Sequence, residues 1–271
     1  MLTRQQIQRL AQRNGIGMQA QERDYVQHLV LYLLYTHHQD MVFKGGTALR
    51  LAYHGNRYSE DLDFNAPAWG GAESVQARWE TVVDRLEDYG VGAEVRNAWI
   101  SDVGYSVDLS FRGPLFDGRD RSKGKIRLDV NLRTEIAASL PVLVSSEYDD
   151  VRPFVVTTIT REHLFAEKVR ALLERSKPRD LYDLWLMLGQ GLQPDRALIL
   201  DKLALRSRRP DGPASGTASA GVHLDWSPQG LNEALERASV AWEQDLRLLL
   251  PQHVPYAVVR QGVASALSAA V

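Results

Sequence analysis

The segment Tyr58-Ser59-Glu60-Asp61-Leu62-Asp63-Phe64 constrains this chain more than any other stretch of it. Its aromatic and apolar residues are those of a buried strand, and successive side chains of a strand alternate between faces. Leu62 and Phe64 therefore turn to one face, and Asp61 and Asp63 lie side by side on the other. Like charges at that separation are unfavourable unless a cation, a proton or bulk water compensates them. Which of the three it is depends on what the rest of the sequence brings to the acidic face.

The 271 residues suffice for one large domain or two modest ones. A net charge of -2 gives no global field for nucleic acid or membrane, so electrostatic recognition has to come from local patches. The absence of cysteine excludes disulfides, thiolate zinc sites and cysteine nucleophiles. The polar N-terminal stretch has no apolar signal-peptide core, and no apolar run reaches the length of a membrane span. These features lead us to expect a soluble cytoplasmic protein.

Helical spacing is read over 3–13 and from Met18 to His38, where Tyr25, Leu29 and Leu33 recur on one side. A short apolar strand, a Gly-Gly break and a helix from near Thr47 precede the acidic strand. Residues 72–89 are helical, with Val75, Trp79, Val82, Val83 and Leu86 inward. Strands follow over 92–100, 104–113, 124–133 and 155–160. Beyond Arg161 the pattern is helical over 161–175, 179–190, 195–206 and 229–249, with a Ser/Gly/Pro-rich loop at 209–221. The expectation is α+β over 1–160, a mixed sheet flanked by helices, and an all-helical region over 161–271.

Three features accompany the carboxylate pair. Gly45 and Gly46, between a strand and a helix, permit close backbone approach to a phosphate, and Thr47 adds a hydroxyl. The bland alternative is a tight turn with Thr47 as N-cap. Asp129 lies on the polar face of a strand whose other face carries Ile126, Leu128, Val130 and Leu132. There it is either a third ligand for Mg²⁺, which prefers hard oxygens, or a solvated residue among basic neighbours. Lys168 shares a helical column with Leu164 and Leu172, where a lysine requires an anion or a route for its ammonium to water.

Taken in order, "FKGGTALRL", "RYSEDLDF", "KIRLDVN" and "LFAEKVRALLERSKPRDLYDLW" closely resemble the AbiEii/AbiGii-type nucleotidyltransferase toxins, a group that includes the MenT toxins, within the DNA polymerase β-like superfamily. The resemblance runs over about 40–190. It implies a nucleotidyltransferase domain over 1–160 and a helical domain over 161–271 that completes the active-site cleft. It also implies a toxin of a toxin–antitoxin or abortive-infection system, countered by a separately encoded antitoxin. Such an enzyme would use an NTP and Mg²⁺, with two ions, to transfer NMP to the 3′ end of tRNA and block translation.

By the same resemblance, Lys44, Gly45, Gly46, Thr47, Arg57, Ser59 and Lys168 would bind the nucleotide. Asp61, Asp63 and Asp129 would hold the metal, and Asp129 would also help activate the attacking hydroxyl. Lys168 and Asp180 complete the implied catalytic set. Asp180 reads equally as an acidic residue in a helix's first turn, and Arg57 and Arg179 as structural ion-pair partners. The compensation for Asp61 and Asp63 is then a cation. Basic runs over 111–133 and 170–179 suit RNA or a solvated face, and a protein or small-molecule acceptor, or a silent binding module, are the alternatives.

Overall fold

The computed structural model describes residues 1–66, 70–101, 104–132, 138–205, 224–268 and 270. The Ser/Gly/Pro-rich segment at 209–221 lies outside the described residues, as does Arg133 at the end of the first basic run. The chain divides into two compact units. One comprises Met1–Thr160 with Leu248–Gln252, the other Arg161–Arg247 with His253–Val271.

The first unit opens with α1 (Arg4–Asn14), α2 (Met18–His37), β1 (Val42–Lys44), α3 (Gly45–Ala52) and β2 (Asp61–Asn65). It continues through α4 (Gly71–Leu86), β3 (Gly92–Ser101), β4 (Gly104–Arg112), β5 (Gly124–Asn131), β6 (Ser139–Val144) and β7 (Phe154–Ile159). Thr3 starts α1 with a capping box that includes Gln6. The seven strands form one sheet in the order β3-β4-β5-β2-β1-β7-β6. The β2–β5 and β1–β7 pairs are parallel and the others antiparallel. The architecture is α+β, a mixed sheet with flanking helices.

Period-two alternation sorts the sheet into two faces. Phe43, Leu62, Phe64, Val107, Leu109, Ile126 and Leu128 are all buried in one core. The Phe64 ring lies 5.4 Å from Phe43 and 5.5 Å from Trp79 of α4, which the sequence places inward. α2, nearly continuous in buried residues, packs on β5, β7 and α4. Burial of these apolar residues holds the sheet flat against the helices and leaves its polar face available for chemistry.

The second unit comprises α5 (Arg161–Arg175), α6 (Pro178–Gly189), α7 (Arg196–Ala204), α8 (Pro228–Ser239), α9 (Trp242–Leu246) and α10 (Tyr256–Ser268). Leu164, Phe165, Val169 and Leu172 form the buried face of α5, as their spacing predicts. No helix among the described residues is long and apolar enough to cross a membrane.

Four elements differ from the sequence reading, one of them α10, which lies beyond the last helix expected there. β6 went unread because it is an edge strand containing Pro141, with most of its residues exposed or half-buried. The helix expected over 229–249 breaks at the exposed Val240 into α8 and α9. Leu231, Leu235, Ala238, Trp242 and Leu246 stay buried across that break, so hydrophobic spacing alone could not reveal it. α3 begins at Gly45 rather than near Thr47, with Lys44 as its extended N-cap.

Candidate active site

Strand register builds the site. β2 and β5 set Asp63 opposite Asp129 and Asp61 opposite Arg127. On the far side of β2, Lys44 of β1 stands opposite Asp63. On the far side of β5, Ser106 of β4 stands opposite Asp129. One row across four strands therefore runs Lys44, Asp63, Asp129, Ser106, with about 4.8 Å between neighbours. All four lie on the face away from the core, and Asp61, Asp63 and Asp129 are partly exposed.

The Gly-Gly turn is pressed against this row. Gly45 has φ of 76°, and a Cβ there would run into the Asp63 carboxylate, so no other residue fits without strain. A Cβ on Gly46 would come 2.5 Å from Arg57 Nη2 and 2.9 Å from Ser59 Oγ. Gly45, Gly46, Arg57, Ser59 and Asp63 are thus neighbours in space. The first turn of α3 carries backbone N–H groups that have no intrahelical acceptor, the usual means of holding phosphate oxygens.

Two members of the expected nucleotide-binding set, Thr47 and Arg57, are held from within the fold. Thr47 is fully buried, and its hydroxyl donates to the Asp61 carbonyl at 2.5 Å. Because α3 starts two residues earlier than expected, Thr47 is neither the N-cap nor directed outward; it ties the helix to β2. Arg57 is also buried, and its Nη1 donates to the Tyr58 carbonyl at 2.9 Å.

Asp129 receives a hydrogen bond from the Ser106 hydroxyl, and Arg127 Nε lies 3.4 Å from its Oδ1. Arg127 also reaches Asp108 at 3.0 Å, and Asp108 accepts from Asn97 Nδ2 at 3.0 Å. Burial alone would raise the Asp108 carboxyl, but the Asn97 and Arg127 hydrogen bonds outweigh it and hold it below its ordinary value. Ser106, Asp108 and Arg127 escaped the sequence reading as site residues. Their signal was same-face alternation with Asp129 along β4 and β5, which means nothing until the register is known.

Among the described residues, no three His, Cys, Asp or Glu side chains converge closely enough to enclose a metal ion. The donor chemistry still suits Mg²⁺, which retains several waters and needs only one or two protein carboxylates beside substrate phosphates. Asp61 and Asp63, two positions apart on one strand face, supply such a pair of hard oxygen donors.

Lys168 and Asp180 belong to the second unit and are found together there. Lys168, largely buried, places Nζ 3.1 Å from Asp180 Oδ1 and 2.7 Å from Asp183 Oδ2. Arg175 grips Asp180 with Nε at 2.7 Å and Nη2 at 3.0 Å. Burial alone would raise the Asp180 carboxyl, but Lys168 and Arg175 outweigh it and hold it well below the usual carboxylate range. The anion that the apolar column demanded for Lys168 is therefore this pair of aspartates. Arg179 lies half-buried in the first turn of α6.

Residues 30–261 match the model of the nucleotidyl transferase AbiEii toxin family, described as a type IV toxin–antitoxin system. Among solved structures, the chain resembles the MenT4 nucleotidyltransferase toxin of Mycobacterium tuberculosis, with 22% identity, 99% of each chain covered and a TM-score of 0.58. It also resembles JHP933 of Helicobacter pylori, with 16% identity, 94% of this chain and 93% of that one covered, and a TM-score of 0.59. No curated protein matches.

Proposed function

Because the chain belongs to the AbiEii nucleotidyl transferase toxin family, we propose that this nucleotidyltransferase toxin adds a nucleoside monophosphate from an NTP to the 3′ end of tRNA, in a Mg²⁺-dependent reaction. Family membership itself makes the chain a nucleotidyltransferase of a type IV toxin–antitoxin system, with an antitoxin as its implied partner.

One observation carries it: the row Lys44, Asp63, Asp129, Ser106 lies directly against the Gly45–Gly46 turn. Backbone N–H groups of the turn, with Ser59 beside them, receive the triphosphate, and Lys44 adds positive charge next to Asp63. Asp61 and Asp63 would hold Mg²⁺, which when bound offsets the charge of the phosphates and of the oxygens being exchanged. The Thr47 hydroxyl keeps α3 in register with β2, and Arg57 stands beside Gly46 and Ser59 while holding the Tyr58 carbonyl. Asp129, oriented by Ser106 and Arg127, takes the proton of the acceptor hydroxyl. The hydroxyl oxygen forms the new bond to the α-phosphorus, the bond to the β-phosphate breaks, and pyrophosphate leaves. A tRNA extended in this way no longer offers its normal end for aminoacylation.

The test is incubation with each α-labelled NTP, Mg²⁺ and total tRNA, beside an Asp61→Ala control. Label on tRNA that disappears in the variant is the expected result. Label on protein only, or none on any RNA, would overturn the tRNA acceptor.

A further inference from the structure

The catalytic row does not stop at Ser106. β3, at the edge of the sheet, sets Trp99 opposite Ser106, which extends the row to Lys44, Asp63, Asp129, Ser106, Trp99. Trp99 thus stands two strands from Asp129, about 10 Å at ordinary strand spacing. Trp99 is 43% exposed.

A bulge puts it there. Up to Arg96 opposite Asp108, β3 and β4 keep one register, which would bring Trp99 opposite Tyr105, whose side chain is buried in the core. The register shifts between Arg96 and Trp99, where Asn97 takes φ of 54° and its side chain bonds Asp108. One extra residue therefore turns Trp99 from the core face to the catalytic face, as bulges beside active sites do. Gly104 lies beside the ring on the same face, a Cβ there falling at ordinary contact distance, 3.6 Å, from Trp99 Cζ3.

Basic residues border the same face. A groove of about 350 Å³ is lined by Arg96, Arg112, Lys123, Glu94 and Ser110, and Lys125 stands opposite Ser110 in the β4–β5 register. Four of these six side chains are cationic; Glu94 pairs with Arg96 and Lys123, Asp120 also with Lys123, Glu87 with Arg112 and Asp108 with Lys125, at or near the surface where phosphates can compete for them. An exposed indole with cations further along the same sheet face is an arrangement that takes a stacked base with its trailing phosphates.

We propose that Trp99 is the platform on which a base near the 3′ end of a single-stranded RNA acceptor stacks, with Arg96, Arg112, Lys123 and Lys125 guiding the strand toward Asp129. The proposal rests on the RNA-acceptor reading above. Trp99 is a positioning residue: it holds the acceptor so that its terminal hydroxyl reaches the row, and leaves the NTP alone. A protein acceptor would need neither the indole nor the cationic border.

Two measurements test it on the full chain. In the first, Trp99→Ala and Trp99→Phe are compared with the parent by anisotropy of a labelled single-stranded RNA oligonucleotide, without NTP. The Ala variant should bind about ten- to a hundredfold more weakly, and the Phe variant should recover most of the loss. In the second, transfer kinetics should show a raised KM for RNA in Trp99→Ala, with KM for NTP and kcat at saturating RNA unchanged. Equal RNA binding by parent and Trp99→Ala would overturn the stacking role even if the parent labels RNA. A parent that labels no RNA would overturn the function proposed above, while the binding comparison would still decide the platform. Labelling of a protein, unaffected by Trp99→Ala, would overturn both.

Discussion

Two groups of aspartates in this molecule are built on opposite terms. Asp61, Asp63 and Asp129 sit partly exposed on a sheet face, side by side in sequence and register. Asp180 and Asp183 are fully buried in α6, clamped by Lys168 and, at Asp180, by Arg175. A carboxylate removed from water requires a protein cation in close contact, because desolvation costs several kcal/mol per ion. One left at a surface tolerates its neighbours and remains able to meet a metal ion or a substrate. Acidic density is therefore shared by the two regions, and burial decides which of them serves stability.

The largest effect should come from dismantling the buried cluster. Lys168→Met leaves two buried aspartates short of their shared cation and should cost about 3–5 kcal/mol of stability, read by urea denaturation. Unchanged stability together with a raised KM for NTP would instead make Lys168 a nucleotide-binding residue. At the exposed cluster the outcome should be reversed. Asp61→Ala or Asp63→Ala should lower kcat by about a hundred- to a thousandfold, the scale of losing one group that stabilises transition-state charge. Folding stability should change by well under the buried cluster's loss, because both side chains are partly exposed. Marked unfolding of Asp61→Ala would erase the contrast.

A smaller effect on stability should follow Gly45→Ala. The left-handed backbone alone costs about 1–2 kcal/mol in a residue with a side chain, and the added methyl must displace the Asp63 carboxylate. Transfer should fall further than stability does; a fully active variant would separate the turn from the site.

Acid sharpens the comparison last. Asp180 has a folded-state value below its unfolded one, so its contribution to stability is present above the ordinary carboxylate value of about 4. That contribution is lost as pH falls below that value toward the depressed one. Lys168→Met removes a main cause of the depression and should move acid unfolding to higher pH, by circular dichroism.

Much of this could be read before any coordinates. Alternation in 61–64 and 124–132 separates acidic from apolar faces, since a strand's period is a property of the backbone itself. Helical spacing put Lys168 among leucines and thereby showed that it needs a partner. The order of the motifs pointed to the family that now accounts for residues 30–261. Element boundaries were less accessible: α3 starts early because Gly45 alone permits φ of 76° against Asp63, and β6 hides behind Pro141.

What the sequence by itself determined, then, is which residues share a face, because backbone periodicity acts locally. Only the tertiary structure decided who meets whom. The parallel pairing that sets Asp63 beside Asp129 spans 66 positions of chain, and register over such distances is settled by burying the opposite, apolar face. The Thr47 hydroxyl lies against β2 instead of facing outward, and Lys168 finds Asp183 as well as Asp180. In each case packing removed the group from water and so compelled the partner it found.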